Sequence, residues 1–363
     1  MNPTDRPQTS ALSDSLLLEM WERIMHLDDT AAMLAELEST ASRLFDIPCI
    51  LRLPESPWAV QPGQAASIPI QTSLGAVVAH LTLPLDVDLV NLRGAELLCK
   101  MVGWAISRGE LLGKARECGE LMNDLKFGRR ILEESLPASD LTMSGWEMSG
   151  CLRPAQHLGG DVYAYSVAAG RPSFLLADAV GHGLGSALLV SECRALWRGL
   201  GFEQDITSKA ARLSRLLYED TGPERFVAAT LGRCAEHGWI DYVACGQGPI
   251  FVVRADRVEV FEDSEPPLGL FPDQCFSARR VHLEPGDCFV CSTDGIIEWQ
   301  DGKGELFGAN RVEQALTGMH GRSSSEVVAW LFAAIDAFCH QDSARDDACV
   351  VAVMRLPVGD TSG

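Results

Sequence analysis

Leu158-Gly159-Gly160-Asp161 and Ala177-Asp178-Ala179-Val180-Gly181-His182-Gly183 decide how this chain is read. Each places one aspartate at the end of an apolar, strand-like run, beside glycines that let the backbone approach whatever the carboxylate holds. Two more acidic turns lie downstream. Ser292-Thr293-Asp294-Gly295 follows the run Cys288-Phe289-Val290-Cys291, and Arg345-Asp346-Asp347-Ala348 precedes Cys349-Val350-Val351-Ala352-Val353-Met354. The pattern is four aspartate corners on one strand-rich scaffold.

Hard divalent cations such as Mg2+ and Mn2+ take oxygen ligands, and carboxylates on rigid strand ends supply them with little reorganisation. Two such ions about 3.5 to 4 Å apart lower the pKa of a bridging water and stabilise in-line attack on a phosphoryl group. One Asp-Gly corner is ordinary turn chemistry. Four corners, three of them in particular flanking sequence, are not.

The order of elements points to the fold. Strands are expected at 146–152, 162–167 and 173–177, and helices at 185–200 and 207–218. Further strands follow at 226–233, 239–245, 250–253, 258–261, 276–281 and 287–291, then helices at 309–317 and 324–340 and a last strand at 348–354. Strands, helix pair, strands, helix pair, strand is the pattern of two sheets sandwiched between helices.

His157-Leu158-Gly159-Gly160-Asp161-Val162-Tyr163-Ala164-Tyr165, Asp178-Ala179-Val180-Gly181-His182-Gly183, Leu283-Glu284-Pro285-Gly286-Asp287 leading to Thr293-Asp294-Gly295-Ile296-Ile297-Glu298, and the terminal Asp346-Asp347 resemble the bacterial metal-dependent (PPM-type) serine phosphatases of the sporulation stage II E class. The resemblance runs in order over residues 129–356. It implies an α+β fold, a four-layer αββα sandwich with metals at one edge. Carried over residue by residue, it implies Asp161 and Asp178 as central ligands of two Mn2+ or Mg2+ ions, with the backbone carbonyl of Ala179 as a further contact. Asp294 and Asp346 complete the coordination, Asp346 being preferred to Asp347 as the direct ligand, and Asp347 holds water or substrate nearby. The implied reaction is attack of a metal-activated water on a phosphoserine or phosphothreonine without a covalent intermediate. The implied partner is a phosphorylated regulatory protein of the STAS-domain, anti-sigma-antagonist type. The alternative is a catalytically inactive scaffold of the same fold that acts by protein binding; the presence of all four corners weighs against it.

The cysteines offer no competing nucleophile: Cys151, Cys245 and the rest lack the basic surroundings or phosphate-cradling loop that a cysteine phosphatase needs. His182 is either a proton donor or a packing residue of its turn. Arg153, Arg225 and Arg345 are the candidates for a phosphate clamp. The chain departs from the resembled family at Ala244-Cys245-Gly246-Gln247-Gly248-Pro249, where Asn-Ala-Gly-His followed by prolines is usual, which alters a turn at the expected substrate rim. Pro266-Pro267-Leu268-Gly269 and Phe307-Gly308 keep the family pattern.

With 363 residues, 47% of them hydrophobic, the chain has room for two cores. A formal charge of −20 argues against nucleic acid and anionic membrane surfaces as partners. The 12 cysteines are scattered through apolar runs without a secretory segment, which points to thiols in the cytoplasm. Cys288 and Cys291 have zinc-like spacing but no second pair, and a strand turns them to opposite faces. The longest apolar stretch, 327–335, is too short to span a bilayer.

The expected organisation is a disordered tip (1–14), a small GAF-like sensory or dimerisation domain (15–108), a linker helix (109–137), the phosphatase domain (138–358) and a tail (359–363). The first part reads as helices at 16–27 and 30–45, a strand at 48–53, a hairpin at 67–72 and 76–83, and a helix at 87–106. The GAF likeness rests on that order. Leu111, Ala115, Cys118, Met122, Leu125, Leu132 and Leu136 step by fours and threes, a heptad seam that favours a homodimer through the linker helix. In the resembled family such a helix, ending in a leucine-proline step like Leu136-Pro137, couples sensor to phosphatase.

Overall fold

The computed structural model describes residues 19, 22–27, 29–45, 49–52, 65–73, 75–84, 89–155, 158–168, 170–200, 205–222, 224–339 and 346–357. The expected tip and tail, His157 and Arg345 lie outside the described residues. The chain divides into two compact units, Met1–Met122 and Asn123–Gly363.

In the first unit, α1 (Thr30–Phe45) precedes strands β1 (Ile50–Arg52), β2 (Ala65–Gln71) and β3 (Val77–Pro84), which form an antiparallel sheet in the order β1-β3-β2. Alternate residues of β2 and β3, Ile68 and Ile70 with Ala79 and Leu81, join Leu34 and Leu37 of α1 in its core. Leu98, Cys99 and Val102 of the next helix complete it. That helix, α2, runs unbroken from Leu89 to Ser135, where two separate helices were expected. Gly109, Gly113 and Gly119 each weaken it by about 1 kcal/mol relative to alanine, but no proline interrupts its hydrogen-bond ladder. It stops only at Leu136-Pro137, where the proline ring disfavours helical backbone in the residue before it.

The second unit contains β4 (Leu141–Met143), β5 (Trp146–Arg153), β6 (Asp161–Ala168), β7 (Arg171–Ala179), α3 (Leu184–Gly199), α4 (Ile206–Thr221), β8 (Val227–Cys234), β9 (Trp239–Cys245), β10 (Ile250–Val253), β11 (Val258–Phe261), β12 (Arg279–His282), β13 (Cys288–Ser292), α5 (Asp294–Ile297), α6 (Gly308–Leu316), α7 (Ser324–Cys339) and β14 (Ala348–Arg355). One sheet has the order β11-β10-β13-β14-β5-β4 and the other β12-β9-β8-β7-β6. Every neighbouring pair is antiparallel.

Central strands of both sheets are buried on both faces, β14 through seven consecutive residues, so each sheet must be covered twice. Inner faces meet through Met148, Phe174, Leu176, Tyr242, Phe289 and Val351. Helices α3 and α4 cover the five-stranded sheet through Val190, Trp197, Leu213 and Leu217. Helices α6 and α7 cover the other through Val312, Leu316, Leu331 and Ile335. The result is the four-layer αββα sandwich. The strand expected at 276–281 forms instead over Arg279–His282, because Phe276 is drawn into the core beneath α3 and α4.

Candidate active site

Strand register brings the four corners to one end of the sandwich. Asp161 opens β6 and faces Asp178, near the end of β7, as its direct cross-strand partner. Past Asp178 the chain must turn sharply into α3. Gly181 and Gly183 provide that turn with φ of 91° and 80°, a left-handed backbone that side-chain-bearing residues rarely adopt. In the other sheet, Ser292 at the end of β13 pairs with Val350 near the start of β14. That pairing puts Asp294 beside Asp346 and Asp347.

Two ties join the sheets at this end. The Thr293 hydroxyl donates to Asp161 Oδ2 at 2.7 Å and itself accepts from the Cys349 N–H at 3.0 Å. The Asp347 carboxylate accepts from the N–H of Ala155 at 2.8 Å and of Gly160 at 2.7 Å. Thr293 is completely buried; the signal for it in the sequence is a hydroxyl residue between the end of an apolar strand and Asp294.

The electrostatics are those of crowded like charges. Burial, then the Asp178 carboxylate, raises the Asp161 carboxyl well above the usual range, against the Thr293 hydrogen bond that lowers it. Asp178 is pushed up to about 8, by burial first and then by Asp294 and Asp346. Asp294 is raised by burial and by Asp346. Among the described residues, no cationic side chain is a principal influence on these three groups.

Among the described residues no group of three or more His, Cys, Asp or Glu side chains has the geometry of a preformed metal cage. The carboxyls crowd one another instead, and the like charge of their neighbours raises the proton affinity of Asp161, Asp178 and Asp294. The donor set is nonetheless all oxygen, which fits hard divalent cations.

The other candidates separate by position. Asp346 is exposed beside Asp294, whereas Asp347 is buried. The Ala179 carbonyl lies against Gly160, where an added Cβ would sit 3.1 Å from it. His182 is exposed in its loop. Arg153 does not serve the site: it pairs with Asp336 at 2.5 Å and lies over the Phe332 ring at 4.6 Å, on the helix-covered side of its sheet. Arg225 is exposed next to Phe226, whose carbonyl accepts from the Val180 N–H at 3.1 Å. Burial raises the thiol pKa of Cys151 and Cys245, the opposite of an activated nucleophile. Cys288 and Cys291 face different layers, one toward α6 and α7 and one between the sheets.

Comparison with known proteins agrees with this architecture. The chain is 21% identical over 225 residues to Protein IcfG of Synechocystis sp., covering 53% of this chain and 36% of that protein. It is 22% identical over 183 residues to the phosphoserine phosphatase RsbP of Bacillus subtilis, covering 48% of this chain and 45% of RsbP. The chain thus spans less than half the length of either relative. The solved PP2C domain of SiaA from Pseudomonas aeruginosa superposes with a TM-score of 0.59 at 20% identity, covering 67% of this chain and all of that domain. Residues 168–356, just over half of the chain and including Asp178, Asp294 and Asp346, match the family model for stage II sporulation protein E. The chain belongs to the stage II sporulation protein E (SpoIIE) family.

Proposed function

We propose that this chain is a metal-dependent protein serine/threonine phosphatase. The observation that carries the reading is a set of crowded carboxylates, gathered from both sheets, with no cationic side chain of the described residues among their principal influences. Asp161, Asp178 and the Ala179 carbonyl from one sheet, with Asp294 and Asp346 from the other, would hold two Mn2+ or Mg2+ ions. When bound, such ions lower the pKa of a water and neutralise charge on the phosphoryl group. The chain's own part is to fix the ligands on strand ends, so that little reorganisation accompanies reaction. Arg225, beside the loop after Asp178, is the candidate contact for the substrate phosphate.

The substrate class we infer is a phosphoserine or phosphothreonine on a regulatory protein. RsbP, a phosphoserine phosphatase by name, supports the chemistry, and the sequence resemblance supports a STAS-domain partner. All twelve cysteines are free thiols, which supports the cytoplasm as the compartment. No helix among the described residues is long and apolar enough to cross a membrane. We further infer that two copies pair along α2 and that the first unit, GAF-like in its element order, gates activity through this helix.

The test is hydrolysis of p-nitrophenyl phosphate with Mn2+, Mg2+ or EDTA. Turnover should require a divalent ion. Asp178→Asn and Asp294→Asn should each lower kcat by about 100-fold or more, since even residues that only orient a ligand account for about 10- to 100-fold. A folded protein without turnover under either metal, alone or with a phosphorylated STAS protein, would support the binding-scaffold alternative.

A further inference from the structure

We infer that Asp347 is a positioning residue and not a cation ligand: with Thr293 it ties the Asp161 corner of the five-stranded sheet to the first residues of β14 in the six-stranded sheet. The inference rests on the metal-site reading above and assigns a task that the acidic pair Asp346-Asp347 leaves open.

Asp346 and Asp347 are adjacent, just before β14, but differ in burial. Asp346 is exposed beside Asp294. Asp347 is 8% exposed, and each of its carboxylate oxygens receives a backbone N–H, from Ala155 and from Gly160. Gly160 immediately precedes Asp161. A Cβ on Gly159 would lie 2.5 Å from Asp347 Oδ2, and one on Gly295 would lie 1.8 Å from the Asp347 carbonyl oxygen. Two of the motif glycines are therefore glycine so that Asp347 can sit where it does. Thr293 adds the second tie, to Asp161 Oδ2 itself, and is held in turn by the backbone of Cys349.

The consequence is geometric. Asp161 and Asp178 ride on one sheet and Asp294 and Asp346 on the other, so the gap between the two pairs is set by whatever joins the sheets at that end. Asp347 and Thr293 supply hydrogen bonds across that gap. Residues that orient ligands typically account for about 10- to 100-fold in metal affinity.

The experiment uses the full chain, with calorimetric titration of Mn2+ and p-nitrophenyl phosphate kinetics at increasing Mn2+. Asp347→Ala, Thr293→Val and Gly159→Ala should each weaken Mn2+ binding about 10- to 100-fold with unchanged stoichiometry, and kcat should return toward the wild-type value at saturating Mn2+. Thr293→Ser keeps the hydroxyl and should bind Mn2+ like the wild type. The Gly159 variant is decisive, because it removes no oxygen and acts only by displacing Asp347. It and Thr293→Val carry the test if Asp347→Ala does not fold. A lost equivalent of Mn2+ in Asp347→Ala, or a kcat that excess Mn2+ does not restore, would make Asp347 a ligand and overturn the inference. Unchanged affinity in Thr293→Val and Gly159→Ala would overturn it too. A wild-type chain that binds no Mn2+ would sink the metal-site reading first, and the positioning role with it.

Discussion

Asp178 is where burial and like charge reinforce each other. Its carboxyl is pushed up to about 8, from an ordinary value of 3.8, by burial and then by Asp294 and Asp346. A carboxyl whose folded value is raised stabilises the fold while it holds its proton. That contribution is complete below the unfolded value and is lost as pH rises through the folded one. With EDTA present, thermal stability should therefore fall between about pH 4 and pH 8, and Asp178→Asn, which cannot ionise, should lose part of that slope. Divalent cations should reverse the trend in the wild type, since ionised carboxylates then gain a partner. Parallel melting profiles for wild type and Asp178→Asn across this range would show that the crowding has no energetic consequence. The same crowding explains what sequence alone could not decide. Four aspartate corners were legible as motifs, but the direct facing of Asp161 and Asp178 is a matter of hairpin register. The division of labour between Asp346 and Asp347 depends on which carboxyl meets the N–H groups of Ala155 and Gly160.

At the level of elements, legibility followed punctuation. β9, β10 and β11 begin and end where the sequence places them, at 239–245, 250–253 and 258–261, because glycine, proline and charged residues bound each apolar run. β4 is three residues long, too short for a period to register. α5 begins on Asp294 itself, inside a stretch that reads as a turn. α4 starts at Ile206, one residue before the expected 207, because Asp205 caps it. The Asp205 carboxylate accepts from the Ser208 N–H at 2.9 Å and from the hydroxyls of Thr207 and Ser208. The Thr207 hydroxyl contributes most to holding Asp205 down at about 2. A depressed carboxyl stabilises the fold above its unfolded value and ceases to as pH falls through its folded one. Asp205→Ala should thus destabilise the protein by about 1 kcal/mol at neutral pH, with the difference shrinking below about pH 4 and closing near pH 2. Asp205→Asn, itself a good cap, should retain most of the stability. Thermal denaturation of the three proteins at both pH values is the check, and equal melting of wild type and Asp205→Ala at neutral pH would mean that the cap contributes nothing.

At the scale of the whole molecule, the feature that asks for a partner is α2. Leu97, Trp104, Leu111 and Cys118 recur every seventh residue, and all four are exposed, Leu111 at 64%. They continue upstream the seam read from Leu111, Cys118 and Leu125, so one apolar stripe runs along most of a 47-residue helix. A stripe at heptad spacing is self-complementary: the same residues on a second copy present the same knobs and holes. The glycines that weaken α2 also make its helicity dependent on such support. A net charge of −20 opposes pairing of two identical chains at long range, so the seam must prevail at contact and should do so better in salt, which screens the repulsion. The proposed homodimer should appear in light scattering at twice the 39.3 kDa chain mass, more tightly at high than at low ionic strength. Leu111→Glu removes one leucine from each helix of the pair, each contributing about 1.5 to 3 kcal/mol of burial, and should weaken dimerisation by about 100-fold or more. If α2 also carries the gating proposed for the first unit, the specific activity of Leu111→Glu should depart from the wild-type value at concentrations where the wild type is dimeric. A wild type that stays monomeric at micromolar concentration in salt would remove the dimer, whereas a dimer broken by Leu111→Glu at constant specific activity would keep the seam and remove the gating.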